Sequence, residues 1–378
     1  MQIDDNKRIF GLDLMRAVAI LLVVCSHVLW ITPTARGMIP DILRIAGLVG
    51  VEIFFVLSGF LIGRIIYRLY LSDDFSFKSV FYFWIRRWFR TLPNYYLVLI
   101  INVLIALYIG TSLPDNLWQY AFFLQNFAWE MPSFFIESWS LSIEEFAYVL
   151  GPLLLYLTLF LKTAISKSRQ FLLITLLIIF MFALTKFIYS QNDNIKSMVH
   201  WNVNLKAIVI YRIDAIYYGV LAAFISIVKP NMWKKARYVA FVLGLLLFLG
   251  LNAAIPLKQV FIETNPLFWN VWYLPINSLA IVLTLPLLSQ MQSTSRFFLM
   301  PITYLSLISY SMYLLHYSII LQLLKYDIPS DGFFGLDVFV YIMVYLLLTI
   351  LCSHILYRFY EKPMTDLRDM PFFKRKFK

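Results

Sequence analysis

Arg16 and His27 share one apolar run, GLDLMRAVAILLVVCSHVLW, where a fixed cation and a group able to take a proton near neutral pH stand close to three helical turns apart. At 1.5 Å per residue that spacing puts them on nearly one helix face, separated by roughly 16 Å along the axis. Ionisable groups inside such a segment are expensive and usually mark a site or a pathway. One face of this helix therefore lines something polar. A second signature is FWIRRWFRTLP, in which Arg86, Arg87 and Arg90 cluster. Arg87 and Arg90 are one turn apart, so both guanidiniums can grip the same anion. Further ionisable groups punctuate apolar sequence: Glu52 in GVEIFFVLSGFLIGR, Glu144 and Glu145 in SWSLSIEEF, Arg212 and Asp214 in YRIDAIYYG, and His316 in SYSMYLLH.

The elements that must position these groups follow from composition. Of the 378 residues 61% are hydrophobic and 14% charged, an apolar share far above that of a soluble domain. Runs of spanning length fall at about 9 to 30, 46 to 66, 93 to 110, 139 to 161, 170 to 189, 206 to 228, 238 to 254, 271 to 291, 302 to 324 and 336 to 358. The fold expected is an all-α polytopic membrane bundle of about ten helices, with the whole chain, 1–378, as one domain. The segment from about 116 to 129, flanked by Pro114 and Pro132, is too short to span and reads as interfacial or re-entrant. With no cleavage site after it, the first helix reads as an uncleaved signal-anchor.

Lysine and arginine are distributed unevenly. Placing the N-terminus inside leaves only Arg36, Arg44, Lys196, Lys206, Lys258 and Lys325 in outer loops, so both termini are expected in the cytoplasm and the protein in a bacterial inner membrane. The net charge of +11 then follows the anionic inner leaflet, not a nucleic-acid partner. The two cysteines, Cys25 and Cys352, fall in apolar runs, and no ligand set has metal-site spacing. This topology puts His27, Glu52, Glu144, Glu145, Arg212, Asp214 and His316 toward the outer half of the bundle. Arg86, Arg87 and Arg90 fall on the inner side, just before the third span.

The ordered set GLDLMRAVAILLVVCSHV, GVEIFFVLSGFLI, FWIRRWFRTLPNYY, ESWSLSIEEFAYVL, YRIDAIYYGVLAA, SYSMYLLH and YRFYEKP resembles the bacterial membrane-bound acyltransferase 3 family from about residue 8 to 363. That resemblance implies transfer of an acyl group, often acetyl, from cytosolic acyl-CoA to a hydroxyl of an extracytoplasmic glycan or similar acceptor. The family's arginine–histidine pair, regarded as catalytic, corresponds to Arg16 and His27. Its FF-x-x-SG motif corresponds to Phe54, Phe55, Ser58 and Gly59, and its R-x-x-R motif to Arg87 and Arg90. Longer members carry an extra C-terminal hydrolase-like domain, and the chain reads as the stand-alone form.

The expected arrangement has Arg87 and Arg90 holding coenzyme A phosphates at the inner face, with Arg86 assisting. Gly59 lets the pantetheine arm pass, Ser58 and Arg16 line the passage, and His27 is general base for the acceptor hydroxyl. Glu144, Glu145 or Glu52 is to orient the imidazole, and the sequence does not choose among them. Arg212, Ser58 or backbone donors are candidates for the oxyanion, with Asp214 and His316 on the substrate side. A covalent acyl-enzyme competes with direct transfer. A transporter or flippase is the reading from another class, since buried charges also line transport pathways.

Overall fold

The computed structural model describes residues 8–161, 164–191, 197–330, 332–368 and 370. Lys7, Lys162, Lys196 and the basic stretch 371–378, which enter the charge distribution above, lie outside them. Among the described residues there is no strand, and ten helices are long and apolar enough to cross a membrane. They are α1 Phe10–Trp30, α2 Met38–Leu71, α3 Phe77–Ile109, α4 Ser138–Phe160, α5 Lys167–Ser190, α6 Val209–Val228, α7 Arg237–Ile255, α8 Phe268–Leu288, α9 Arg296–Asp327 and α10 Leu336–Leu367. In lipid a backbone has no water to bond with, so helices that satisfy their own amides are the available solution.

Two helices run well past their apolar cores. α2 has 34 residues and α3 has 33. α3 begins at a capping box, in which Ser76 and Ser79 each receive the other's backbone N–H, and ends at Gly110 in the left-handed region, φ 80°. Hydropathy alone starts the third span at Pro93. The helix instead starts sixteen residues earlier and carries Pro93 inside it, so Arg86, Arg87 and Arg90 are helical residues, not a loop before a span. The short segment after Pro114 contains one helical turn, Trp118–Ala121, and then tucks inward. Gln125 and Asn126 are fully buried there: Gln125 donates to Ser138 and Ser142, and Asn126 donates to the carbonyls of Trp139 and Ala207.

Helix directions can be read from contacts. Gly47 faces Ser26 while Gly50 faces Ala19 and Val23, so α1 and α2 are antiparallel. Asp13 meets Ser306 while His27 meets His316, so α1 and α9 run parallel. α2 and α6 also run parallel and approach unusually closely. A Cβ on Gly59 would collide with the carbonyl of Ile216, and one on Gly219 with the backbone of Val56 and Phe60. Two facing glycines let the backbones touch, the means by which membrane helices gain packing energy without a hydrophobic driving force.

Gly59→Ala is therefore expected to force α2 and α6 apart and to cost about 1–3 kcal/mol. Its thermal unfolding midpoint in detergent should fall well below that of wild type. An unchanged midpoint would refute this account of the crossing.

Candidate active site

The functional side chains lie in layers along the bundle. Where α1 begins, Asp13 gathers Arg8, Arg16 and Ser306. Arg8 donates to both carboxylate oxygens at 2.8 and 2.5 Å, Ser306 donates at 2.8 Å, and Arg16 Nη1 lies 3.4 Å from Oδ1 and 3.1 Å from the Ser306 hydroxyl. Asp13 precedes Arg16 by three residues, a spacing at which opposite charges on a helix meet. That local pairing is the signal by which the sequence could have revealed Asp13.

The next layer surrounds an open cavity lined by Arg16, Ser58, Arg87, Arg90, Glu144 and Tyr310 among others. Residues from α1, α2, α3, α4 and α9 thus face one space. Arg87 lies 4.4 Å from the Tyr148 ring centroid, on its face, and the Arg87 Nε, though buried, has no hydrogen-bond partner among the described residues. Tyr148 Oη donates to Glu144 at 2.6 Å, and so the 2.5 Å contact with Ser58 has the serine hydroxyl as donor. Glu145 accepts from Thr91 at 2.9 Å, and Tyr310 Oη donates to the Thr91 carbonyl at 2.8 Å. Glu361 in α10 closes the arrangement, accepting from Asn94 at 3.0 Å and Ser311 at 2.5 Å. Arg86 turns to Tyr82, one helical turn back, where its Nη1 donates at 3.1 Å. It is not among the cavity-lining residues.

Beyond this layer Phe54 and Tyr313 meet edge to face, 6.2 Å between centroids, and both line the cavity. Tyr313 is held by the Glu137 carbonyl at 3.0 Å and by Ser140 at 2.6 Å. On the other side of Tyr313 stands a pair of histidines. His27 Nδ1 lies 2.8 Å from the Val23 carbonyl and 3.3 Å from His316 Nε2. His316 is fully buried, and its Nδ1 lies 2.8 Å from the Tyr313 carbonyl and 3.1 Å from that of Met312. Carbonyls only accept, so these contacts assign the proton of each ring to Nδ1. His316 opens a short π-helical stretch, His316–Leu321, of the kind that often accompanies functional positions.

The structure therefore brings Arg16, Ser58, Arg87, Arg90 and Glu144 together and sets His27 and His316 apart from them. No carboxylate is hydrogen-bonded to His27 among the described residues: Glu144 goes to Tyr148 and Glu145 to Thr91. Glu52 forms a buried ion pair with Arg212 and accepts from Ser278 at 2.9 Å. Asp214 pairs with Lys186, also buried. These two pairs join α2, α5, α6 and α8, and none of the four residues lines the cavity. Of the remaining histidines, His354 bonds to Tyr304 and His200 to Asn204. Sequence reading missed Tyr148, Tyr313, Glu137, Lys186 and Glu361, because a tyrosine or a lone charge in an apolar run carries no pairing information by itself.

Two ionisable groups outside the spans are displaced by their surroundings. Burial pushes the Glu137 carboxyl up to about 7, against hydrogen bonds from the Ser318 hydroxyl and amide that favour its charged form. Burial, helped by the Arg212 charge, lowers Lys206 to about 8, and its ammonium lies 5.2 Å from the centroid of Trp139. Among the described residues no group of three or more His, Cys, Asp or Glu is placed to hold a metal ion.

Comparison with known proteins gives a consistent picture. The model of the family described as "Acyltransferase domain" matches residues 9–358. "Putative O-acetyltransferase SACOL0978" of Staphylococcus aureus (strain COL) is 28% identical over 93% of this chain and 56% of its own length. "Peptidoglycan O-acetyltransferase OatA" of Listeria monocytogenes is 24% identical over 84% of this chain and 50% of its own. "Putative peptidoglycan O-acetyltransferase YrhL" of Bacillus subtilis is 24% identical over 98% and 57%. The chain spans about half the length of these relatives. No solved structure matches.

Two stability measurements test the electrostatics. Arg212→Ala, which strands Glu52 in a dry interior, should cost about 3–5 kcal/mol, whereas replacing both Glu52 and Arg212 by methionine should cost much less. Equal losses in the two variants would mean the pair is not desolvated as described. Glu137, protonated more readily folded than at its ordinary 4.5, stabilises below that value, and the contribution is lost as pH rises to about 7. Wild type should lose stability relative to Glu137→Gln across that window, with a slope on the order of 1 kcal/mol per pH unit. Parallel thermal-midpoint profiles of the two would contradict this.

Proposed function

The chain belongs to the acyltransferase family whose domain model it matches over nearly its whole length, and on that premise we propose that it is a membrane O-acyltransferase, most simply an O-acetyltransferase, acting at the cavity between α1, α2, α3, α4 and α9. The donor proposed is acyl-CoA entering from the cytosol, and the acceptor a hydroxyl of an extracytoplasmic glycan. Both termini then face the cytoplasm, in keeping with the lysine and arginine distribution. The observation that carries the reading is the convergence of three arginines, Arg16, Arg87 and Arg90, on one cavity whose far wall, Phe54 and Tyr313, stands before His27 and His316.

Coenzyme A has a phosphorylated head and a long, narrow arm. Arg87 and Arg90 suit the phosphates, and the unpartnered Arg87 Nε leaves a donor for an anion. Arg16 is anchored through Asp13 and Ser306 and faces the arm's path. Gly59 serves the passage indirectly, by letting α6 lie against α2, since its Cα side is occupied by Ile216 and Gly219. The roughly 16 Å from Arg16 to His27 is a depth that a pantetheine arm can cover.

At the far end His27 is the general base. With its proton on Nδ1, the Nε2 lone pair is the one able to take the hydroxyl proton of the acceptor as that oxygen attacks the thioester carbonyl. The carbon–sulfur bond then breaks, and the proton passes from Nε2 to the departing thiolate. Relatives named as peptidoglycan O-acetyltransferases support a glycan as acceptor. Glu144 in this reading belongs to the donor end, where it fixes Tyr148 under Arg87, and Glu145 fixes Thr91. The pairing of Glu52 with Arg212 makes both structural supports for α2 and α6.

Purified protein in liposomes should release coenzyme A from acetyl-CoA, faster with a suitable glycan, and His27→Ala should lower turnover by about 10²- to 10⁴-fold. Arg90→Ala should instead abolish thermal protection of the protein by coenzyme A. Full turnover in His27→Ala would remove the base assignment, and the absence of any coenzyme A protection in wild type would remove the donor.

A further inference from the structure

A general base needs a group that holds its ring in one tautomer and accepts from its protonated form, and in hydroxyl-activating sites that group is commonly a carboxylate. None of the described carboxylates is bonded to His27. Glu144, Glu145, Glu52 and Asp214 are each committed elsewhere, and Glu137, the acid of the same layer, is bonded to Ser318. What His27 Nδ1 does meet is the Val23 carbonyl, the Ser26 hydroxyl at 3.3 Å and the Nε2 of His316. Ser26 itself donates to Val23, so toward the Nδ1 proton it can only accept, and three acceptors face that proton: the Val23 carbonyl, the Ser26 oxygen and the imidazole nitrogen of His316.

We propose that His316 is the positioning residue for His27, a neutral imidazole standing where a carboxylate stands in other hydroxyl-activating sites. This rests on the reading of His27 as general base.

His316 is suited to that task by its own restraints. Its Nδ1 proton is directed to the Tyr313 and Met312 carbonyls, which turns the unprotonated Nε2 toward His27. The two rings meet at 76° with centroids 4.7 Å apart, edge to face, so the lone pair of one addresses the N–H of the other. Tyr317 packs against both, 4.8 Å from His27 and 6.4 Å from His316, and Tyr313 closes the cavity side at 5.8 Å from His316. The buried His316 has little room to rotate. A carboxylate at this depth would carry a charge needing its own counter-ion, whereas an imidazole accepts the same hydrogen bond at no net charge.

During transfer the proton balance involves His27 alone. Its Nε2 takes the acceptor's proton as the ester bond forms and returns it to sulfur as the thioester breaks. His316 keeps its single Nδ1 proton throughout and accepts more strongly from the transient imidazolium than from neutral His27.

The test is nitrogen NMR of the full chain labelled with ¹⁵N at histidine, which has four such residues, with resonances assigned by His27→Gln. In wild type His27 should be protonated at Nδ1 and bare at Nε2. His316→Gln, whose side-chain carbonyl can accept the same bond, should keep the wild-type His27 Nδ1 shift and retain acetyl-CoA turnover within about 3-fold, whereas in His316→Leu, where the Val23 carbonyl still favours the same tautomer, the His27 Nδ1 shift should move toward that of a weaker hydrogen bond and kcat should fall about 10- to 100-fold with little change in KM for acetyl-CoA. An unmoved His27 Nδ1 shift in His316→Leu, or a glutamine variant as impaired as the leucine one, overturns the proposal. If instead His27→Ala turns over as wild type does, it is the general-base reading that fails, and the Nδ1 shifts still show whether His316 holds the ring.

Discussion

Within a bilayer a charged side chain must find its counter-charge inside the protein, because neither water nor lipid tails will supply one. The ion pairs Glu52–Arg212 and Lys186–Asp214 meet that constraint and, in doing so, tie four helices together: α2 to α6 and α5 to α6, with Ser278 bringing in α8. They are buried beside the crossing where Gly59 and Gly219 allow α2 and α6 to touch. With α2 fixed on that side, its other face is free to carry Phe54 and Ser58 into the cavity. Charges that look catalytic in the sequence therefore act as the frame against which the cavity is built.

The ten helices were legible because hydropathy over some twenty residues is a strong signal and needs no partner. Their ends were less so. α2 and α3 continue well beyond their apolar cores, and the arginines of α3 belong to a helix that begins before its apolar core and turns Arg87 and Arg90 to the cavity. A hydropathy window sees those charges as the end of a span. Of the candidate site, Arg16, Ser58, Arg87 and Arg90 could be grouped because each sits in a distinctive motif. Depth along the bundle leaves Glu144, Glu145 and Glu52 all open as partners for His27, but Tyr148, one turn beyond Glu144, holds its carboxylate beside Ser58 and Arg87. A side chain's direction depends on which neighbour it finds, and Tyr148, on the same helix, is itself held by Ser58 of α2 and Arg87 of α3, which are distant in sequence. The same holds for His316, far from His27 in the chain and adjacent in space.

Asp13 shows the opposite case. It lies one turn before Arg16, a spacing whose pairing is legible in the sequence alone. What the sequence could not disclose is that Ser306 and Arg8 share the same carboxylate, so that the start of α1 is locked to α9. α1 and α9 are joined again at their other ends by the two histidines, a double attachment that holds two parallel helices in fixed register over the length of the site.

Phe54 and Tyr313 divide the polar interior into an arginine layer and a histidine layer. Were these layers continuous, a column of water threading the bundle would give protons and small ions a route across the membrane. An aromatic constriction interrupts such a column by dewetting, as hydrophobic gates do in channels. The pair thus stands as electrical insulation between the arginine-lined cavity and the histidines, as a bundle that sits in an energised bilayer without short-circuiting it requires.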